Sequence, residues 1–165
     1  MTTITQTDLA VQVYQVFIKA TPEQIWDAIT KSEFTTRYFF GSELESSFEP
    51  GASYIQWAPA REKVWVEGEV LESEPPRRLV HTWCSLFDED SAQEQPSRVS
   101  WEIEPQQGDV TKLTVVHDQL EGAPKTAESV SGGWSYVLSG LKTLLETGEE
   151  LTTPGSLRYS GAQAT

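Results

Sequence analysis

The sequence predicts an α+β domain in which a curved, seven-stranded antiparallel sheet surrounds a long C-terminal helix, with two short helices after the first strand. Three observations predict it. Residues 126–149, TAESVSGGWSYVLSGLKTLLETGE, repeat apolar side chains every 3.6 residues: Ala127, Val130, Trp134, Val137, Leu138, Leu141, Leu144 and Leu145. A helix of about 20 residues spans roughly 30 Å, the width of a small domain. Residues 42–120 alternate short β-branched and aromatic runs with turn formers, which is the pattern of a meander. Between the first strand and that meander, Thr21-Pro22-Glu23-Gln24 combines a cap, a proline at the first helical position and a capping box.

Taken in order, residues 11–18, VQVYQVFI, form the first strand. Tyr14, Val16 and Ile18 share one face and Val11, Val13 and Phe17 the other, so two apolar faces place this strand away from a sheet edge. Ile25, Trp26 and Ile29 are the buried side of the first short helix. A second starts at the cap Ser32, runs through Phe39 and ends at Gly41. Tyr38, Phe39 and Phe40 gather at its exit, as core filling or as a ligand-facing portal. Strands follow at 43–48, 53–58, 64–74, 78–85, 98–105 and 112–119, separated by Pro50-Gly51, Ala58-Pro59, Pro75-Pro76 and Gly108-Asp109. Residues 86–97, LFDEDSAQEQPS, read as an exposed hairpin loop. Gly133 and Gly140 line one edge of the long helix, for close packing or as a smooth wall beside a ligand, and Gly148 is its stop. Residues 1–10 and 150–165 are expected to be flexible, leaving a domain over 11–149.

Composition narrows the function. The 165 residues suit one domain. A net charge of −13, from 25 acidic and 12 basic residues, opposes nucleic acid and anionic membrane surfaces. No apolar run is long enough to insert into a membrane, and the N-terminus lacks the pattern of a secretory signal. Cys84 is the one cysteine, so a disulfide framework within the chain is impossible and a reducing cytoplasm is the expected compartment.

Strand alternation puts Leu79, His81 and Trp83 on one face, as it does Val99, Trp101 and Ile103, and Leu113, Val115 and His117. These sets form a concave face toward the long helix. Trp26, Tyr38, Trp57, Trp65, Trp83, Trp101 and Trp134 are its candidate wall or core residues. His81 and His117 are either core-edge histidines satisfied by hydrogen bonds or polar anchors for a ligand. Their strands have the Trp101 strand between them, which separates them by roughly 9–10 Å and opposes a shared metal. Cys84 faces away from His81 and reads as a buried structural thiol. Glu67 and Glu69 share a face with Trp65, either as solvated carboxylates or as a base raised by the indole. No G-x-S-x-G elbow is present.

The segments FIKATPEQIWDAI, RYFFG, WVEGEVLESEPPRRLVHTW, LTVVHDQL and GGWSYVLSGLKTLLE, in that order, resemble the SRPBCC or START-like superfamily. Within it they are most similar to the family named for the activator of the heat-shock-protein-90 ATPase (Aha-type). The resemblance covers about residues 11–146. It implies the helix-grip (START-like, Bet v-like) fold and a cavity between sheet and helix.

The function expected is binding of a small hydrophobic, aromatic or amphipathic molecule in that cavity. Its wall would be Tyr38, Trp57, His81, Trp83, Trp101, His117, Trp134 and Leu138, with the two histidines orienting a polar end. No cofactor or metal is expected, and the chain is a monomer or homodimer. Two alternatives stay open: a co-chaperone-like module that docks a chaperone or other protein, and a cyclase- or aromatase-like enzyme using acid–base groups in the cavity.

Overall fold

The structure is a computed structural model describing residues 10–152. The expected termini, 1–10 and 150–165, fall largely outside the described residues. The elements are β1 (Gln12–Ile18), α1 (Pro22–Thr30), α2 (Ser32–Tyr38), β2 (Glu43–Glu45), β3 (Ser53–Trp57), β4 (Val64–Glu74), β5 (Arg78–Ser85), α3 (Glu89–Ala92), β6 (Ser97–Pro105), β7 (Thr111–Asp118) and α4 (Pro124–Thr147). The strands make one antiparallel sheet in the order β1-β7-β6-β5-β4-β3-β2. Among the described residues, no helix is long and apolar enough to cross a membrane.

Each local signal explains its element. Thr21 and Gln24 close a reciprocal capping box on α1, which satisfies two of the amides a helix start leaves open. The apolar stripe of α4 lies on the concave face: Ala127, Val130, Trp134, Val137, Leu138, Leu141 and Leu144 are all buried. Gly148 stops α4 in the left-handed conformation, and its amide donates to Leu144 O.

Five features depart from expectation. β1 is an edge strand. Its outer face is apolar yet exposed, with Val13 at 57% and Phe17 at 53%. Inward, Gln12 donates to Ala127 O and Tyr14 to Ser131 O, tying the strand to α4. Ser32 does not cap α2; its hydroxyl bridges both backbone groups of Leu44 in β2.

Strand β4 carries a bulge. Gln56 pairs with Val66 but Trp57 with Val64, so Trp65 is the extra residue. The bulge turns Trp65 inward, and Trp65 and Val66 are both buried although alternation sets them on opposite faces. Glu67 and Glu69 stay on the exposed outer face, away from that indole.

Residues 86–97 are more than an exposed loop. Phe87 packs on Trp65, with ring centroids 5.8 Å apart. The segment also contains α3, under which Cys84 lies half-buried rather than buried, its thiol 3.9 Å from Ala92 O. Glu94 caps the far helix. Its carboxylate accepts from Lys125 N at 2.7 Å, Thr126 N at 3.0 Å and the Thr126 hydroxyl at 2.7 Å. Ala123, at the N-cap of α4, offers no side-chain cap, so the acid supplied from outside the helix fills that role.

Candidate functional site: an apolar cavity beneath the long helix

The face of α4 and the concave sheet leave a cavity of about 40 Å³. Phe39 and Phe40 enter it from the exit of α2, Gln56 from β3, Trp65 from the β4 bulge, Trp83 from β5, and Phe87 from the segment that follows. The α4 wall is Ser129, Val130, Gly133, Trp134 and Val137. A water needs roughly 10–15 Å³ measured this way, and a drug-sized pocket about 300–1,000 Å³. The hollow therefore takes a compact group or the tip of a longer molecule.

The glycines of α4 serve two ends. At Gly140 a Cβ would stand 3.3 Å from Tyr38 Cβ, so its bare backbone lets α2 pack closely. At Gly133 a Cβ would find only Phe40 Cε2, at 3.9 Å. Gly133 thus leaves the cavity wall bare without a steric demand for glycine.

Two indole–imidazole pairs lie beneath the cavity. Trp101 Nε1 donates to His81 Nε2 at 3.0 Å, and His81 Nδ1 donates to Thr82 O at 3.0 Å. Trp134 Nε1 donates to His117 Nδ1 at 3.1 Å. His117 Nε2 donates to Ser97 Oγ at 2.8 Å, and the Ser97 hydroxyl donates in turn to Trp83 O. An indole N–H can only donate, so each histidine must accept on the nitrogen it faces. His81 is the Nδ1–H tautomer and His117 the Nε2–H tautomer, both neutral. Burial lowers the His81 pKa to about 4, against a smaller upward pull from Thr82 O. Burial, then repulsion from His81, lowers His117 to about 3. Tyr54 stacks on His81 at 3.8 Å between ring centroids, and Trp134 meets Trp101 edge-on at 5.4 Å.

Of the expected wall, Trp83 and Trp134 line the cavity. Tyr38 is buried beside it, donating to Ala28 O. Leu138 and Trp101 are core. His81 and His117 have both ring nitrogens engaged by protein, so the hydrogen-bonded core reading describes them and neither presents a free nitrogen to a ligand. Trp57 lies off the cavity, its indole donating to Glu45 under the Arg61 guanidinium. Trp65, Phe39, Phe40 and Gly133 had sequence signals. Gln56, Phe87 and Ser129 did not stand out, although Gln56 follows Tyr54 by two residues on a strand and so shares its buried face.

Gln56 is the polar point of this lining. It is 2% exposed, and its Nε2 donates to Ser42 Oγ at 2.9 Å. No described group donates to its Oε1. Among the described residues, no group of three or more His, Cys, Asp or Glu side chains is placed to hold a metal ion.

Comparison with solved structures supports the fold. CalU16 from Micromonospora echinospora superposes with a TM-score of 0.66 at 21% identity, over 93% of this chain and 83% of that one. PFC0360w, an HSP90 activator from Plasmodium falciparum, gives 0.68 at 20% identity, over 83% and 96%. The Aha1 dimer from Colwellia psychrerythraea gives 0.65 at 17% identity, over 84% and 97%. No curated protein matches the chain. The family model described as "Activator of Hsp90 ATPase homolog 1-like protein" matches residues 19–146, which span α1 to α4, and the chain belongs to that family.

Proposed function

We propose that this protein binds a small apolar or amphipathic molecule in the cavity between α4 and the sheet. The observation that carries this reading is the lining itself. Six aromatic rings surround a hollow whose helix wall is left bare at Gly133. Apolar pockets with few polar groups are the usual form of a small-molecule site. None of the lining side chains titrates near neutral pH, which favours binding over acid–base turnover. Toluene is a suitable first probe, followed by the indole N–H signals of Trp65, Trp83 and Trp134 in a nuclear magnetic resonance titration. Wild-type protein should show saturable shifts, and Gly133→Leu, which fills the hollow, should remain folded and lose them. Equal saturation of both proteins contradicts the reading.

A second reading draws on the exposed apolar face of β1 and of Val11 just before it. Val11, Val13 and Phe17 are each more than half exposed. With the family in view, the occupant proposed is the chaperone ATPase for which the family is named; at a net charge of −13 a second copy of this chain is less suited. Val13→Asp with Phe17→Asp should abolish stimulation of that ATPase. Absence of stimulation by the wild type removes this reading.

A further inference from the structure

We infer that the molecule held beneath α4 is a neutral hydrogen-bond donor, an alcohol or phenol whose hydroxyl is received by Gln56 Oε1. The inference rests on the binding reading above and adds the chemistry of the ligand's polar end.

The orientation of the Gln56 amide is fixed by its neighbour. The Ser42 hydroxyl donates to Phe39 O at 2.7 Å, so toward Gln56 its oxygen can only accept. The amide must therefore turn its NH₂ to Ser42, as it does at 2.9 Å. A flipped amide would set two acceptors against each other. Oε1 is left as a buried acceptor that no described group serves. Buried polar groups are nearly always paired, and an unpaired one asks for a partner. Ser129, the other polar lining residue, points the same way. Its hydroxyl donates back to Thr126 O at 3.1 Å, leaving only lone pairs to offer.

Gln56 Oε1 and the Ser129 hydroxyl thus offer only lone pairs, and a ligand that satisfies Oε1 must bring the donor; the second N–H of Gln56 Nε2 is a donor the lining keeps. A carboxylate leaves Oε1 without a donor and brings a charge that no lining residue neutralises. An ammonium brings donors, but its full charge meets no carboxylate in the lining, and burying an unpaired charge is costly. A hydroxyl attached to a ring or short chain satisfies Oε1 and leaves its apolar part to the aromatic walls.

The test compares phenol with toluene, which differ by OH against CH₃ at equal shape, and with benzylamine as the cationic donor. Binding is read from the indole signals. Wild-type protein should bind phenol about tenfold more tightly than toluene, the scale of one net hydrogen bond. Gln56→Leu, or Gln56→Met if the first variant does not fold, should keep toluene binding and lose the preference. Equal affinity for phenol and toluene in the wild type overturns the inference but leaves the cavity reading standing. So does benzylamine binding most tightly, or a preference that survives in the variant. Failure of all three probes to bind overturns both.

Discussion

The indole–imidazole pairs give this core a pH dependence. His81 and His117 are held neutral because the nitrogens facing Trp101 and Trp134 already accept a hydrogen bond from an indole. Protonation in place would set two N–H groups against each other. Their folded pKa values, about 4 and about 3, lie below the ordinary 6.5. The unfolded chain therefore binds more protons between those limits, and stability falls as pH falls. Each histidine contributes a slope of about 1.4 kcal/mol per pH unit below 6.5, fully developed only once the unfolded imidazole is charged. Urea unfolding at pH 7, 6 and 5 should show this loss before most carboxylates titrate. A stability constant from pH 7 to 5 contradicts the neutral-histidine assignment. At this same scale, alternation along β5 and β7 was enough to turn both histidines inward. Their partners were not legible, because they depend on the register between β5, β6 and β7 and on where α4 crosses them. Gln56 was equally hidden, since a single polar residue on a short strand gives no pattern, and its meaning comes from Ser42, which precedes β2.

Among the elements, α4 was the most legible, because its apolar period is unbroken and its glycine stop stands where a stop should. Its N-terminus was not, because the cap comes from Glu94, distant along the chain. Glu94→Ala should cost about 1 kcal/mol, the usual value of a helix cap, and speed hydrogen exchange at the first turn of α4. Unchanged exchange there would mean that the carboxylate is dispensable. The two buried glycines should separate under the same substitution. Gly133→Ala meets open space and should stabilise by about 0.5–1 kcal/mol through helix propensity while weakening phenol binding. Gly140→Ala meets Tyr38 and should destabilise. A thermal scan that moves both variants in one direction contradicts the division of roles. Trp65 shows the limit of strand alternation: one inserted residue in β4 reversed its face and took Glu67 and Glu69 out of reach of its ring.

For the whole molecule, the order of elements and the seven-stranded antiparallel sheet followed from turn spacing and one long amphipathic segment. Which strands lay at the edges did not. β1 has two apolar faces, and its outer one is exposed beside the edge. Sheet curvature, the bulge and the segment carrying Phe87 together decide how much space remains under α4, and none of these is a property of a single residue type. That space, about 40 Å³, sets the scale of what can enter without movement of the helix, and a whole phenol or toluene ring, which elsewhere occupies a cavity of about 150 Å³, enters with a shift of α4.

Intermolecular nuclear Overhauser contacts between phenol and ¹³C-labelled protein test the central claim most directly. Contacts from the phenol ring to Phe40, Trp83, Trp134 and Val137, lost in Gly133→Leu, are the predicted result. Contacts confined to Val13 and Phe17 on the outer face of β1, or none at saturating phenol, would contradict it.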